Sequence, residues 1–144
     1  MLTVYRASAG AGKTHKLTGE YLTLLFGGTG AYRRILAVTF TNKATDEMKS
    51  RIVEELYNLS SGRKSDYVES LRATYVLTEE QVRKQAKKIL TDILHDYSAF
   101  NISTIDRFFQ QTMRAFTREI GLQGGYGIEM DQELVLTSAV DNLL

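Results

Sequence analysis

Apolar residues recur along the chain at two spacings, one helical and one extended. Leu17, Tyr21, Leu24 and Leu25 predict one face of a helix from about Lys13 to Phe26, which Gly27-Gly28-Thr29-Gly30 should end. Leu2-Thr3-Val4-Tyr5 reads as a first strand, and Ile35-Leu36-Ala37-Val38-Thr39-Phe40 as a second whose nearly unbroken apolar start predicts a parallel strand covered on both faces. Asn42 is the expected N-cap of the next helix, with Asp46 and Glu47 adding negative charge in its first turn. That helix should reach about Leu59, with Ala44, Met48, Ile52, Leu56 and Leu59 as its stripe.

Ser60 to Ser65 reads as a polar linker, and Asp66 to Tyr75 as a short helix. Thr78-Glu79-Glu80-Gln81 is a capping-box pattern opening a helix to about Tyr97, with Val82, Ala86, Ile89 or Leu90, and Ile93 inward. Phe100 to Ile105 predicts a third strand, Asp106 to Ile120 a helix ending at Gly121, Gly124 to Gly127 a loop, and Gln132 to Leu144 the start of another helix. Strands alternating with helices predict an α/β fold with a parallel sheet flanked by helices.

The first strand and first helix bracket Arg6-Ala7-Ser8-Ala9-Gly10-Ala11-Gly12-Lys13-Thr14, followed by His15. A strand, a glycine-rich loop and a helix N-terminus in that order form a phosphate-binding loop. Such a loop directs backbone N–H groups and the positive end of a helix dipole at a polyphosphate. Lys13 would reach the β- and γ-phosphates of ATP, and the Thr14 hydroxyl would hold Mg²⁺. The strict pattern has glycine where this chain has Ala7. The plainer alternative is a glycine-rich turn without a ligand.

Composition narrows the chemistry. The chain has 144 residues and a net charge of +1, so a nucleic-acid surface would have to be local. It has no cysteines, which excludes disulfides and thiolate metal sites, and its two histidines, His15 and His95, lie far apart in sequence. No apolar run approaches the ~20 residues of a membrane helix. The N-terminus reads as strand and loop rather than as a signal sequence, so a cytoplasmic location is expected.

Two further segments carry polar groups at strand ends, where ligands gather in open α/β sheets. Thr39, Phe40, Thr41, Asn42 and Lys43 combine hydroxyls, an aromatic ring, an amide and an ammonium, expected on the same edge as the phosphate loop. They suit a nucleic-acid strand, with phosphates at the helix N-terminus and a base stacked on Phe40. Residue chemistry alone favours the plainer alternative, a capped helix after a buried strand with Phe40 in the core. Ser103, Thr104, Asp106 and Arg107 repeat the arrangement, and the plain alternative is that Asp106 caps the helix and Phe108 or Phe109 packs inside.

Taken together these segments resemble a known family. Ala-Ser-Ala-Gly-Ala-Gly-Lys-Thr at 7–14 resembles motif I of UvrD/Rep-type superfamily 1 helicases. Val38 to Ala44 with Glu47-Met48 and Arg51-Ile52 resembles their motif Ia, and Ile102 to Phe108 the following DNA-contact motif. The start close to the phosphate loop is most similar to the RecB/AddA helicase–nuclease branch. Asp106 stands where the family usually has histidine, and Arg107 where it has serine or glycine.

The resemblance implies an ATP-dependent motor on single-stranded and duplex DNA in repair and recombination. Residues 7–15 would hold ATP and Mg²⁺, while Thr39 to Lys43 with Ser103, Thr104 and Asp106 would face DNA. It also implies a partial RecA-like lobe at 1–120 with a helical insert at about 60–97, and the start of a helical insertion subdomain at 121–144. A second nuclease–helicase subunit is a further implied partner.

Hydrolysis needs an acidic pair at a strand end, and no apolar run of the chain ends in Asp-Glu. Ile128-Glu129-Met130-Asp131 is short and follows a glycine loop. The expected chain is therefore an N-terminal fragment, truncated before the Walker B strand. It should hydrolyse ATP negligibly by itself and self-associate through an exposed sheet edge. A small phosphate-loop kinase using Asp106 and a non-catalytic nucleotide-binding module are the alternatives. The first is opposed by the absence of a basic lid with clustered arginines.

Overall fold

The computed structural model describes residue 4, residues 12–119, and residues 133, 136 and 140. Among these, the helices are α1 (Lys13–Phe26), α2 (Asn42–Ser61), α3 (Val68–Tyr75), α4 (Glu79–His95) and α5 (Ile105–Glu119). The strands are β1 (Ala37–Thr39) and β2 (Ile102–Thr104), with 3-10 turns at Ala31–Arg34 and Tyr97–Ala99. The chain divides into two units, residues 1–108 and 109–144. The strand expected at 2–5, the loop at 124–127 and most of the helix expected at 132–144 lie outside the described residues, although Glu133, Leu136 and Val140 are helical.

In the first unit, β1 and β2 pair in parallel with Ala37 opposite Ile102, Val38 opposite Ser103 and Thr39 opposite Thr104. The result is a helix-rich α/β fold around a small parallel sheet. The sheet packs on α2, which covers one face only. Ala37 and Thr39 are half-buried, whereas Leu36, Val38 and Phe40, alternating onto the other face, are exposed. The expectation of a strand covered on both faces is thus corrected among the described residues.

The core joins α1, α2, α3, α4 and β2 through Tyr21, Leu22, Leu25, Ile52, Leu56, Leu71, Val82, Ile93, Phe100 and Ile102. The inward face of α1 is Thr18, Tyr21, Leu22, Leu25 and Phe26. Leu17 and Leu24 are exposed. The apolar residues of α1 extend over more than one face, and the positions 18, 21, 22, 25 and 26 share a tighter i, i+3, i+4 stripe. On α2, Thr45 takes the buried position beside Met48, and Ala44 is half-buried. The capping box forms: Gln81 N–H donates to Thr78 Oγ1 at 3.2 Å, and Thr78 N–H donates to Gln81 Oε1 at 2.8 Å.

Hydrogen bonds fasten the α3–α4 excursion to α1. Tyr75 Oη donates to the Thr23 carbonyl at 2.5 Å, and Gln85 Nε2 donates to the Phe26 carbonyl at 2.9 Å. The predicted linker is shorter than expected because α2 runs on to Ser61, where Gly62 caps it at φ 69. That left-handed turn is one glycine adopts without strain.

Val76, which ends α3, adopts the same left-handed region at φ 52 and is 91% exposed. A β-branched residue is strained there, and its side chain contributes little packing. Val76→Gly is expected to stabilise the protein by about 1 kcal/mol, raising Tm by about 3 °C. A thermal melt of the two proteins checks this, and an unchanged or lower Tm is the contrary result.

In the second unit, Phe109, Met113 and Phe116 of α5 are exposed at helical spacing. No helix among the described residues is long and apolar enough to cross a membrane.

Candidate nucleotide turn and strand-end edge

Ala7 to Ala11 lie outside the described residues, which begin on this loop at Gly12. Gly12 precedes α1 at φ 72, ψ 14, and accepts from Lys16 N–H at 3.0 Å. A Cβ at Gly12 would meet nothing within 4 Å. Glycine is therefore required there by the left-handed backbone and not by crowding.

The first turn of α1 contains Lys13, Thr14, His15 and Lys16 with no acidic residue, and Gly12 at its N-cap has no side chain to offer. Cations at this end oppose the helix dipole. An anion seated on the turn would be favoured both by the dipole and by these cations. Behind the turn, Thr18 is fully buried and donates through Oγ1 to the Thr14 carbonyl at 2.8 Å.

His15 is engaged from the other side. Tyr67 stacks on its ring at 4.7 Å between centroids with planes 26° apart. Tyr67 Oη donates to the His15 carbonyl at 3.0 Å, and Asp66 lies 3.6 Å from His15 Nε2. Burial, then the Glu55 carboxylate nearby, pushes the Tyr67 phenol above its ordinary pKa, so it stays a donor. The Tyr67 contacts span 52 residues of sequence, and sequence reasoning did not find them.

The other two predicted segments meet at the carboxyl edge of the sheet, where Thr39 pairs in register with Thr104. Each strand runs directly into a helix headed by a threonine. Thr41 Oγ1 accepts from Ala44 N–H at 3.1 Å, and Thr104 Oγ1 accepts from Arg107 N–H at 3.3 Å. The expected Asn42 cap and the plain alternative of an Asp106 cap are therefore both corrected. Thr41, still extended at φ −131, caps α2 in place of Asn42, so Asp46 and Glu47 fall beyond the first turn. Thr104 caps α5 in place of Asp106, which lies exposed within the first turn.

The edge residues differ in what remains available to a ligand. The Thr39 hydroxyl is held inside, 2.7 Å from Thr45 Oγ1 and donating to the Thr41 carbonyl at 3.1 Å. Ser103 Oγ donates to the Thr104 carbonyl at 3.3 Å. Asn42 is exposed, and Lys43 stands 4.0 Å from Glu47. Phe40 is 87% exposed, which overturns a place for it in the core. A cleft of about 470 Å³ between residues 28–32 and α4 contains none of the predicted site residues.

Residues 2–143 match the family described as UvrD/REP helicase N-terminal domain. The chain is similar to the RecBCD enzyme subunit RecB of Borreliella burgdorferi, at 33% identity over 79% of this chain and 9% of the relative. It is similar to an ATP-dependent helicase/nuclease subunit of Lactobacillus acidophilus, at 32% identity over 88% of this chain and 9% of the relative. The RecBCD enzyme subunit RecB of Mycolicibacterium smegmatis is 28% identical over 99% of this chain and 12% of the relative. The chain thus spans about a tenth of the length of these relatives. No solved structure matches it.

Proposed function

The chain belongs to the UvrD/REP helicase N-terminal domain family, and from that membership we propose that it is the ATP-binding part of a DNA helicase. The observation that carries the reading is the turn at the head of α1. Gly12 is left-handed, Lys13 and Thr14 follow it, and the first turn carries no acid. Lys13 would hold the β- and γ-phosphates of ATP, Thr14 would hold Mg²⁺, and residues 7–11 with His15 would complete the cradle. The magnesium ion would neutralise charge on the phosphates. The chain's own contribution is to orient them on a rigid helix end.

The surrounding fold reads as part of a RecA-like lobe at 1–120, with the 60–97 segment as its helical insert and 121–144 as the start of a further subdomain. Of the described strands, β1 runs into Thr39-Phe40 and β2 into Thr104-Ile105-Asp106, so neither ends in an acidic pair. Turnover would then use groups outside this chain, which agrees with its small share of the relatives' length. The parent protein would be an ATP-dependent helicase, with nuclease and partner-subunit functions like those in its relatives' names, moving on single-stranded DNA during repair or recombination.

The strand-end edge would face that DNA. Thr41 and Asn42 at the start of α2, with Lys43, suit phosphates, and the exposed Phe40 ring suits a base. Thr39, Ser103 and Thr104 would contribute mainly by shaping the edge, since their hydroxyls already have partners. Asp106 is the least suited to phosphate, because its carboxylate repels it.

Phe40→Ala is expected to weaken single-stranded oligonucleotide binding by about 5- to 100-fold, the worth of roughly one stacked base. The slope of affinity against salt should stay the same, because stacking releases no counterions. Fluorescence anisotropy at several salt concentrations measures both. Unchanged affinity would remove Phe40 from the DNA surface.

A further inference from the structure

Between α2 and α4 the chain reaches the nucleotide turn through Asp66 and Tyr67, and Tyr67 makes both the hydrogen bond and the ring stack there. We propose that Tyr67 is a positioning residue for the nucleotide site, fixing the first turn of α1 by its hydrogen bond to the His15 carbonyl and its stack on the His15 ring. The inference rests on Lys13 and Thr14 being the ATP-binding residues.

Several observations support it. Tyr67 is itself held: it is 6% exposed, and its N–H donates to Ser65 Oγ at 3.3 Å. Ser65 Oγ in turn donates to Glu55 Oε2 on α2 at 2.7 Å. The phenol therefore reaches α1 from a fixed base and not from a loose loop. Its acceptor is the carbonyl of the residue directly after Thr14. Together with Thr18 Oγ1 on the Thr14 carbonyl, it gives two successive carbonyls of the turn a side-chain donor. A chain position so held keeps the neighbouring Lys13 and Thr14 side chains in register for a ligand, which is what a binding site needs from its supporting residues.

Gly19 fits the same account. Glycine inside a helix is unfavourable relative to alanine, yet it stands near the middle of α1. A Cβ there would lie 3.1 Å from Tyr67 Cε1 and 3.3 Å from Cδ1. The missing side chain lets the ring lie close against the helix.

Tyr67→Phe tests this directly, because it keeps the buried ring and removes only the donor. Affinity for ATP with Mg²⁺ is measured by calorimetry on the wild-type chain, Tyr67→Phe and Lys13→Ala. Each titration is run well below the melting midpoint of the protein concerned. The expected result is a Kd raised about threefold to tenfold in Tyr67→Phe, the worth of about one hydrogen bond. Tyr67→Phe with wild-type affinity, whatever its Tm, would make Tyr67 a packing residue only and overturn the proposal while Lys13 keeps its role. A wild-type chain that binds no nucleotide would overturn both, and the wild-type titration separates the two failures.

Discussion

Replacing Lys13 with alanine is expected to weaken ATP binding by about 100-fold or more. An ammonium bonded to both the β- and γ-phosphates makes charge-assisted hydrogen bonds, each worth roughly 1.5–3 kcal/mol, and a tenfold change in affinity corresponds to about 1.4 kcal/mol. Two such bonds therefore span at least two orders of magnitude. The fold should tolerate the change, because Lys13 is exposed in the first turn of α1. Loss of nucleotide affinity, measured well below the Tm of each protein, is the signature of a binding residue. Wild-type affinity in Lys13→Ala would remove Lys13 from the site.

Phe100→Ala should have the largest effect on stability, a loss of about 3–5 kcal/mol. Phe100 is 2% exposed and meets Tyr21 of α1 edge-on at 6.0 Å and Tyr97 at 5.8 Å. Alanine would leave a cavity where α1 and the entry to β2 meet, and would forfeit two aromatic contacts. Native domains are stable by only about 5–15 kcal/mol, so much of the protein would unfold near physiological temperature. Because Phe100 lies two residues before β2, the pairing of Thr39 with Thr104 should loosen as well. Urea denaturation followed by circular dichroism measures the change. A loss under about 1 kcal/mol would show that the site collapses without a cavity.

Much of the helical frame was legible in the sequence. The bounds of α1, the capping box at Thr78 and the inward face of α4 follow from i, i+3, i+4 spacing and local capping chemistry, both encoded by near neighbours. That the strands run parallel was also readable from their alternation with helices, whereas which strands pair was not.

What was not legible depends on tertiary choices. Thr41 and Asn42 are both good caps, and the end of β1 decides between them. Phe40 is apolar, but it lies past the strand on the sheet face that α2 does not cover, so hydrophobicity alone misplaced it. The threonines at 39 and 104 read as ligand groups, yet one is turned inward to Thr45 and the other caps α5. The Tyr67 contact with His15 joins residues 52 apart and leaves no periodic trace. Only Gly19, out of place in a helix, hinted that something lies close against α1.

The most direct measurement is a calorimetric titration of this chain and its Lys13→Ala variant with ATP and Mg²⁺, followed by a phosphate-release assay with single-stranded DNA. Saturable binding that depends on Mg²⁺ and is lost in Lys13→Ala, with negligible phosphate release, is the predicted result. Absence of binding, binding indifferent to Lys13, or DNA-stimulated turnover by this chain alone would contradict it.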